Sequence, residues 1–161
     1  MARKKSKTAA EFSAELERDP EYQGRLARME RDAEDQEVAA ASDERSLLVD
    51  LQGAGVRIRS VYDFVNDVPT PAEAVPHLLR HLALPHLATV REGILRALAY
   101  KHLRNTALRP LKKFFASSQV PSERWLAANA IATMVSYSQV QTSLPGIEEY
   151  AQLFNGVRRR R

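Results

Sequence analysis

An all-α fold, a short α-α superhelix of stacked helix pairs with a helical N-terminal arm, is predicted from three observations. The first is a self-similarity at a spacing of 33 residues (107 − 74), which aligns Ala74-Val75-Pro76-His77-Leu78-Leu79-Arg80-His81-Leu82 with Ala107-Leu108-Arg109-Pro110-Leu111-Lys112-Lys113-Phe114-Phe115. At the same offset Val90-Arg91-Glu92-Gly93-Ile94-Leu95-Arg96-Ala97-Leu98 aligns with Glu123-Arg124-Trp125-Leu126-Ala127-Ala128-Asn129-Ala130-Ile131. A period of this size marks helical arrays in which each unit buries its apolar face on its neighbour. The second observation is the set of proline and capping signals that punctuate the chain at helix starts. The third is the absence of any convincing alternating apolar pattern of the kind a strand requires.

The elements follow in order. Thr8-x-x-Glu11 reads as a capping box opening a short helix with Phe12 and Leu16 on one side. Asp19 is an N-cap and Pro20 a first helical residue for the next helix. From Glu21 to about Ala41 the only apolar anchors are Tyr22, Leu26, Met29 and Val38 among many charges. So thin a stripe reads as a solvated, half-docked arm. The sharper alternative is self-association through the arm, or ordering on a partner. Ser46–Leu51 is expected to form a separate apolar helix ended by Gly53 and Gly55. Val61–Val65 is a third, degenerate copy of the repeat. Thr70-Pro71-Ala72-Glu73 reads as a capping box opening a helix to about Leu84, and Pro85 breaks it. Its partner helix spans about Thr89 to Lys101. Asn105 or Thr106 caps the next helix, to about Ser117, and Pro121-Ser122 opens another, to about Val135. A short final helix is expected over Pro145–Phe154. The expected organisation is therefore a charged helical arm (1–45), a repeat domain (46–157) and a basic tail (158–161).

Composition narrows the function classes. The 161 residues suit one domain with a continuous core. With no cysteine, disulfide scaffolds and cysteine-ligated metal sites are excluded. No apolar run approaches the roughly 20 residues of a membrane helix. The basic start, Met1 to Lys7, has no apolar segment behind it, so no secretion signal is expected and the protein reads as cytoplasmic. Residues 1–45 carry 9 Lys/Arg and 12 Asp/Glu (net −3), residues 46–161 carry 15 and 8 (net +7), and the sum is +4.

Several stretches resemble the HEAT-repeat family. They are Pro76 in a first helix, Val90-Arg91-Glu92 opening a second, and the small apolar filling by Ala97 and Ala130. Phe12-x3-Leu16-Glu17-x-Asp19-Pro20-Glu21-Tyr22, Ser60-Val61-Tyr62-Asp63-Phe64-Val65-Asn66, Val90-Arg91-Glu92-Gly93-Ile94 and Arg124-Trp125-Leu126-Ala127-x-Asn129-Ala130 are similar, more narrowly, to small bacterial HEAT-like repeat proteins. The resemblance spans roughly residues 8–135. It implies a scaffold whose second helices line a concave face, and it carries over no catalytic residue.

On such a face the 33-residue period sets Ile94, Ala97, Leu98 and Lys101 toward the core and Glu92, Arg96 and Tyr100 away from it. The expected groove has Arg59, Glu92 and Trp125 in one row and Asp63, Arg96 and Asn129 in the next. This mixed-sign surface with one large aromatic suits a protein or peptide partner. The plain structural reading is that Arg59–Asp63 and Glu92–Arg96 pair within their own helices, or that Arg96 bridges to Asp63, and that Trp125 packs between repeats.

Nucleic acid is the rival partner. Lys101, His102, Arg104, Arg109, Lys112 and Lys113 cluster in one stretch, and Arg158, Arg159, Arg160 and Arg161 add a cationic tail. An enzyme is the remaining reading. His77 and His81 have zinc-compatible i, i+4 spacing, with His86 as a further ligand, but the intervening residues lack the glutamate base of a metalloprotease helix. Exposed helix histidines, with no metal and no cofactor, are expected instead. A HEAT-like DNA glycosylase, with Asp63, Glu92 and Trp125 imitating an acid-and-aromatic groove, is the second alternative. The expected function is a non-enzymatic scaffold or adaptor.

Overall fold

A computed structural model describes residues 8–156; the tail Arg158–Arg161 lies outside the described residues. Among the described residues the structure is helical throughout, with no strand. The chain divides between Ala39 and Ala40 into two compact units.

The first unit contains α1 (Ala9–Leu16) and the beginning of α2 (Pro20–Gly53). Asp19 caps α2 as its sequence predicts: its Oδ1 accepts the Glu21 N–H at 2.9 Å, and Pro20 takes the first helical position. Phe12, Leu26, Met29 and Val38 are all exposed. The separate helix expected over Ser46–Leu51 does not exist; those residues belong to the last turns of α2. The reason is local. No glycine or proline interrupts the chain between Gly24 and Gly53, and Ala39–Ala41 are strong helix formers. Gly55, at φ +82°, then turns the chain out of the helix.

In the second unit the third repeat copy survives only as α3 (Asp63–Asn66). Two carboxylates shape this stretch. Glu44, buried on α2, accepts the Val61 N–H and, at 3.3 Å, the Ser60 hydroxyl. Asp63 Oδ2 accepts the backbone N–H groups of Arg59 at 2.8 Å and Ser60 at 3.4 Å. Arg59 therefore lies in a turn ahead of the helix, not on it. A 3-10 turn (Ala72–Ala74) leads into α4 (Val75–Leu82), which is followed by α5 (Ala88–Ala97). The expected capping box at Thr70 is not formed. The fully buried Thr70 hydroxyl donates instead to the Ala97 carbonyl at 2.5 Å, helping to end α5. A second 3-10 turn (Lys101–Leu103) runs into α6 (Arg104–Ser117), so neither Asn105 nor Thr106 caps that helix. Then come α7 (Pro121–Met134), opened by its proline, 3-10 turns at Tyr137–Gln139 and Ile147–Tyr150, and α8 (Ala151–Gly156).

Helices α4 and α5 pack as one pair and α6 and α7 as another, with α4 against α6 and α5 against α7. Burial follows the 33-residue offset. Ala74 and Ala107, Leu78 and Leu111, Leu82 and Phe115, Ile94 and Ala127, Ala97 and Ala130, and Leu98 and Ile131 are all buried. Val61 and Phe64 extend two of these rows into the degenerate copy, but Val65 is exposed because α3 is a single turn. Gly93 lets the copies approach: a Cβ there would stand 2.4 Å from Val61 Cγ1 and 3.1 Å from Tyr62 Cε2.

Candidate functional site

Between the two helix pairs opens a cleft of about 740 Å³. Leu79, Leu82, Pro110, Phe114 and Val120 supply apolar surface, and His86, Arg91, Lys113 and Glu123 supply charge or polarity. Arg91 projects from the first turn of α5 and is held from three directions. Its Nε and Nη2 donate to the two carboxylate oxygens of Glu123 at 2.6 and 3.2 Å. Its Nη1 donates to the carbonyls of Leu82 and Leu84 at 3.2 and 3.1 Å. The guanidinium also lies 5.6 Å from the centre of the Phe114 ring. Glu123 is 7% exposed, and it accepts the Ser118 hydroxyl at 2.8 Å as well. The Arg91 bonds hold its carboxyl below the usual carboxylate range against the opposing effect of burial, and Ser118 adds to them.

The repeat explains half of this arrangement. Arg124, one period after Arg91, donates to the Phe115 carbonyl at 3.1 Å, and Phe115 is the period-equivalent of Leu82. Each arginine thus ties the second helix of a pair to the carbonyl ending of the first. Arg91 also spans to the next pair, where Glu123 stands at the position of Val90; one period after Glu123 stands Gly156, which offers Arg124 no carboxylate.

Beside the cleft runs a chain of polar groups, its two histidine rings buried and its two carboxylates half-buried. Asp43 Oδ2 lies 3.0 Å from His86 Nδ1, His86 Nε2 lies 2.9 Å from His81 Nδ1, and His81 Nε2 lies 2.6 Å from Asp50 Oδ2. Arg80 also pairs with Asp50, and Asp43 Oδ2 accepts the Leu87 N–H at 2.9 Å. Three bonds through four ring nitrogens need three N–H protons, one more than two neutral imidazoles carry. Two neutral imidazoles therefore complete two of the three bonds of this clasp. Burial pushes His81 below the ordinary imidazole value, and His86, Arg80 and His77 push the same way, so its charged form is disfavoured.

The histidines expected on an exposed helix face are therefore not exposed. His81 is 2% exposed and His77 is half-buried, with its Nδ1 lacking a partner. Among the described residues no three His, Asp, Glu or Cys side chains converge as metal ligands.

Of the expected concave rows, the structure brings together Glu92, Arg96 and Trp125, which with Ser122 and Leu126 line a shallow depression of about 260 Å³. Trp125 is 43% exposed, so it is not an inter-repeat filler. Arg96 lies 3.8 Å from Glu92, the intrahelical pairing, and forms no bridge to Asp63. Asn129 is half-buried one turn further along α7. Three expectations fail. Tyr100 does not point away from the core on α5, because Thr70 ends that helix early; its hydroxyl donates to the Phe64 carbonyl and its ring packs on the core. Lys101 is exposed rather than core-facing, for the same reason. Arg59, its side chain 91% exposed and 4.0 Å from Asp63, is in a turn, and Asp63 is committed to backbone N–H groups. Arg59 is not on a second helix, and Asp63 is only the first residue of the one-turn α3.

The basic residues gather on α6. Arg104, Arg109 and Lys112 line an open depression of about 360 Å³ with Asn105 and Leu108, while Lys113 reaches the main cleft. Lys101 is exposed just ahead of them.

The polypeptide is thus all-helical, with two stacked helix pairs enclosing an apolar cleft whose charged groups are largely paired with one another. No protein-family model, no curated protein and no solved structure matches it.

Proposed function

We propose that the chain is a non-enzymatic, HEAT-like helical-repeat adaptor that holds a segment of another protein in the cleft between α4–α5 and α6–α7. The observation that carries this reading is the cleft's chemistry. It has an apolar floor, an ion pair whose charges are already mutually satisfied, and histidine nitrogens committed to neighbouring partners. A reacting group needs an available proton donor, base or nucleophile, whereas a docking groove needs apolar surface and a few fixed polar points. Among the cleft's charged groups Lys113 alone has no charged partner, which favours an amphipathic helix with a carboxylate on its flank. The equivalence of buried positions at 33 residues supports the superhelical, HEAT-like reading, because stacked units bury their apolar faces on one another in one repeated pattern. Trp125, Glu92 and Arg96 offer a second, shallower contact. No described helix is long and apolar enough to cross a membrane.

A photo-reactive benzoylphenylalanine introduced at Val120, which is exposed and lines the cleft, tests this in the native cell. The expected result is an adduct to one defined protein segment, absent when the label sits at exposed Val49 on α2. Identical adducts from both positions, or none from Val120, defeat the proposal.

A further inference from the structure

Several arginines of the second unit are neutralised locally. Arg91 pairs with Glu123, Arg80 with Asp50, and Arg96 with Glu92. On α6 the pattern reverses. No Asp or Glu occurs between Glu92 and Glu123, a stretch that carries Lys101, Arg104, Arg109, Lys112 and Lys113 besides Arg96. None of those five forms an ion pair among the described residues, and the one recorded side-chain bond is from Lys112 to the Ser143 hydroxyl at 3.2 Å.

The buried face of α6 is Ala107, Leu111 and Phe115, so Arg109 and Lys113 fall on the opposite, outer side at i, i+4 spacing. Like charges at that spacing cost a helix a few tenths of a kcal/mol each. Five unpaired cations on and just ahead of one helix, with no acidic residue in the same stretch, make a face suited to an external polyanion. From Arg104 to Lys113 the helix rises about 13 Å at 1.5 Å per residue, matching about four nucleotides of one strand at 3.4 Å per strand charge.

We infer that the outer face of α6 is a docking surface for the phosphate backbone of double-stranded nucleic acid, independent of base sequence. The face offers point charges and the Asn105 amide but no exposed aromatic ring. Phe115 is buried, and Phe114 lines the cleft. A single strand is held in large part by bases stacking on aromatic side chains, so the surface favours a duplex, whose bases are already stacked. Apart from Lys113, which also lines the cleft, this site is separate from it and does not depend on the adaptor reading.

The experiment uses the full chain and fluorescence anisotropy of a labelled 20-base-pair duplex over a range of salt. Five cationic contacts give a slope of log affinity against log salt near −4.5, so affinity falls roughly 500-fold between 50 and 200 mM salt. The triple variant R104Q/R109Q/K112Q is expected to reduce that slope by about 2.7. Its melting temperature stays the same or rises, because all three side chains are at the surface. A parallel variant replaces Arg158 to Arg161 with glutamine. Three outcomes overturn the inference: duplex binding lost only in the tail variant, binding unaffected by the triple variant, or an acidic peptide of equal charge binding more tightly than the duplex.

Discussion

Breaking the Arg91–Glu123 pair tests the physics of the cleft most sharply. Glu123 is almost fully buried and receives three bonds, two from the guanidinium at 2.6 and 3.2 Å and one from Ser118 at 2.8 Å. Replacing Glu123 by glutamine leaves Arg91 with the Leu82 and Leu84 carbonyls and the Phe114 face, but with its charge unpaired. Removing one partner of a buried pair costs about 3–5 kcal/mol. The remaining carbonyl bonds put Glu123→Gln at the lower end, about 3 kcal/mol. Arg91→Met strands the Glu123 carboxylate with Ser118 alone and costs about 4 kcal/mol on the same scale. The double variant puts an apolar chain beside a neutral amide and is expected to cost about 2 kcal/mol more than wild type. The coupling is then about 5 kcal/mol (3 + 4 − 2), read from urea unfolding of the four proteins. Additive losses, with coupling under about 0.5 kcal/mol, refute the claim that the two helix pairs are tied through this bond.

Other expectations follow from the packing and the titrating groups. Gly93→Ala forces a methyl group toward Val61 and Tyr62 and should lower stability by about 1–3 kcal/mol in the same urea assay. Leu78→Ala and Leu111→Ala occupy equivalent, fully buried positions and should each cost about 2–5 kcal/mol, within about 1 kcal/mol of each other. A much larger gap would show that the two pairs do not share one packing scheme. Because burial holds His81 below the ordinary imidazole value, the unfolded chain takes up a proton that the folded chain refuses. Stability should therefore fall as pH drops below about 6.5, by up to about 1.4 kcal/mol per unit, until the folded-state value is reached. Melting temperatures between pH 7.5 and 5.5 test this, and a flat profile, or one matching that of His81→Gln, contradicts it. Glu44 works in the opposite sense, since burial raises its carboxyl.

How much of this was legible in the chain depends on the range of the interaction. Asp19-Pro20 opens α2 as expected because a cap acts over two or three residues. The rows Leu78/Leu111 and Ala97/Ala130 were legible because a repeat imposes one burial pattern twice. Thr70 misled because its hydroxyl serves a carbonyl 27 residues away, a choice local rules do not register. Arg59 and Asp63 were expected on one helix because their spacing fits one, but Asp63 begins α3 and its carboxylate closes the turn that holds Arg59. The clasp was missed since Asp43 and His86 meet across 43 residues, with nothing near either to announce the other. A signal for the cleft did exist. The repeat alignment sets Glu123 on the buried register of Val90, and a carboxylate at an apolar position demands a partner. The nearby Arg91, recurring as Arg124, was the natural choice.

The account rests on the cleft between the helix pairs being the place where another protein is held. Amide hydrogen exchange on the full chain, with and without a synthetic peptide of the segment crosslinked at Val120, measures this directly. The account expects slowed exchange in 79–91 and 110–123, which line the cleft, and unchanged exchange in 20–39. Protection confined to 20–39, or none in the two cleft segments at saturating peptide, would contradict it.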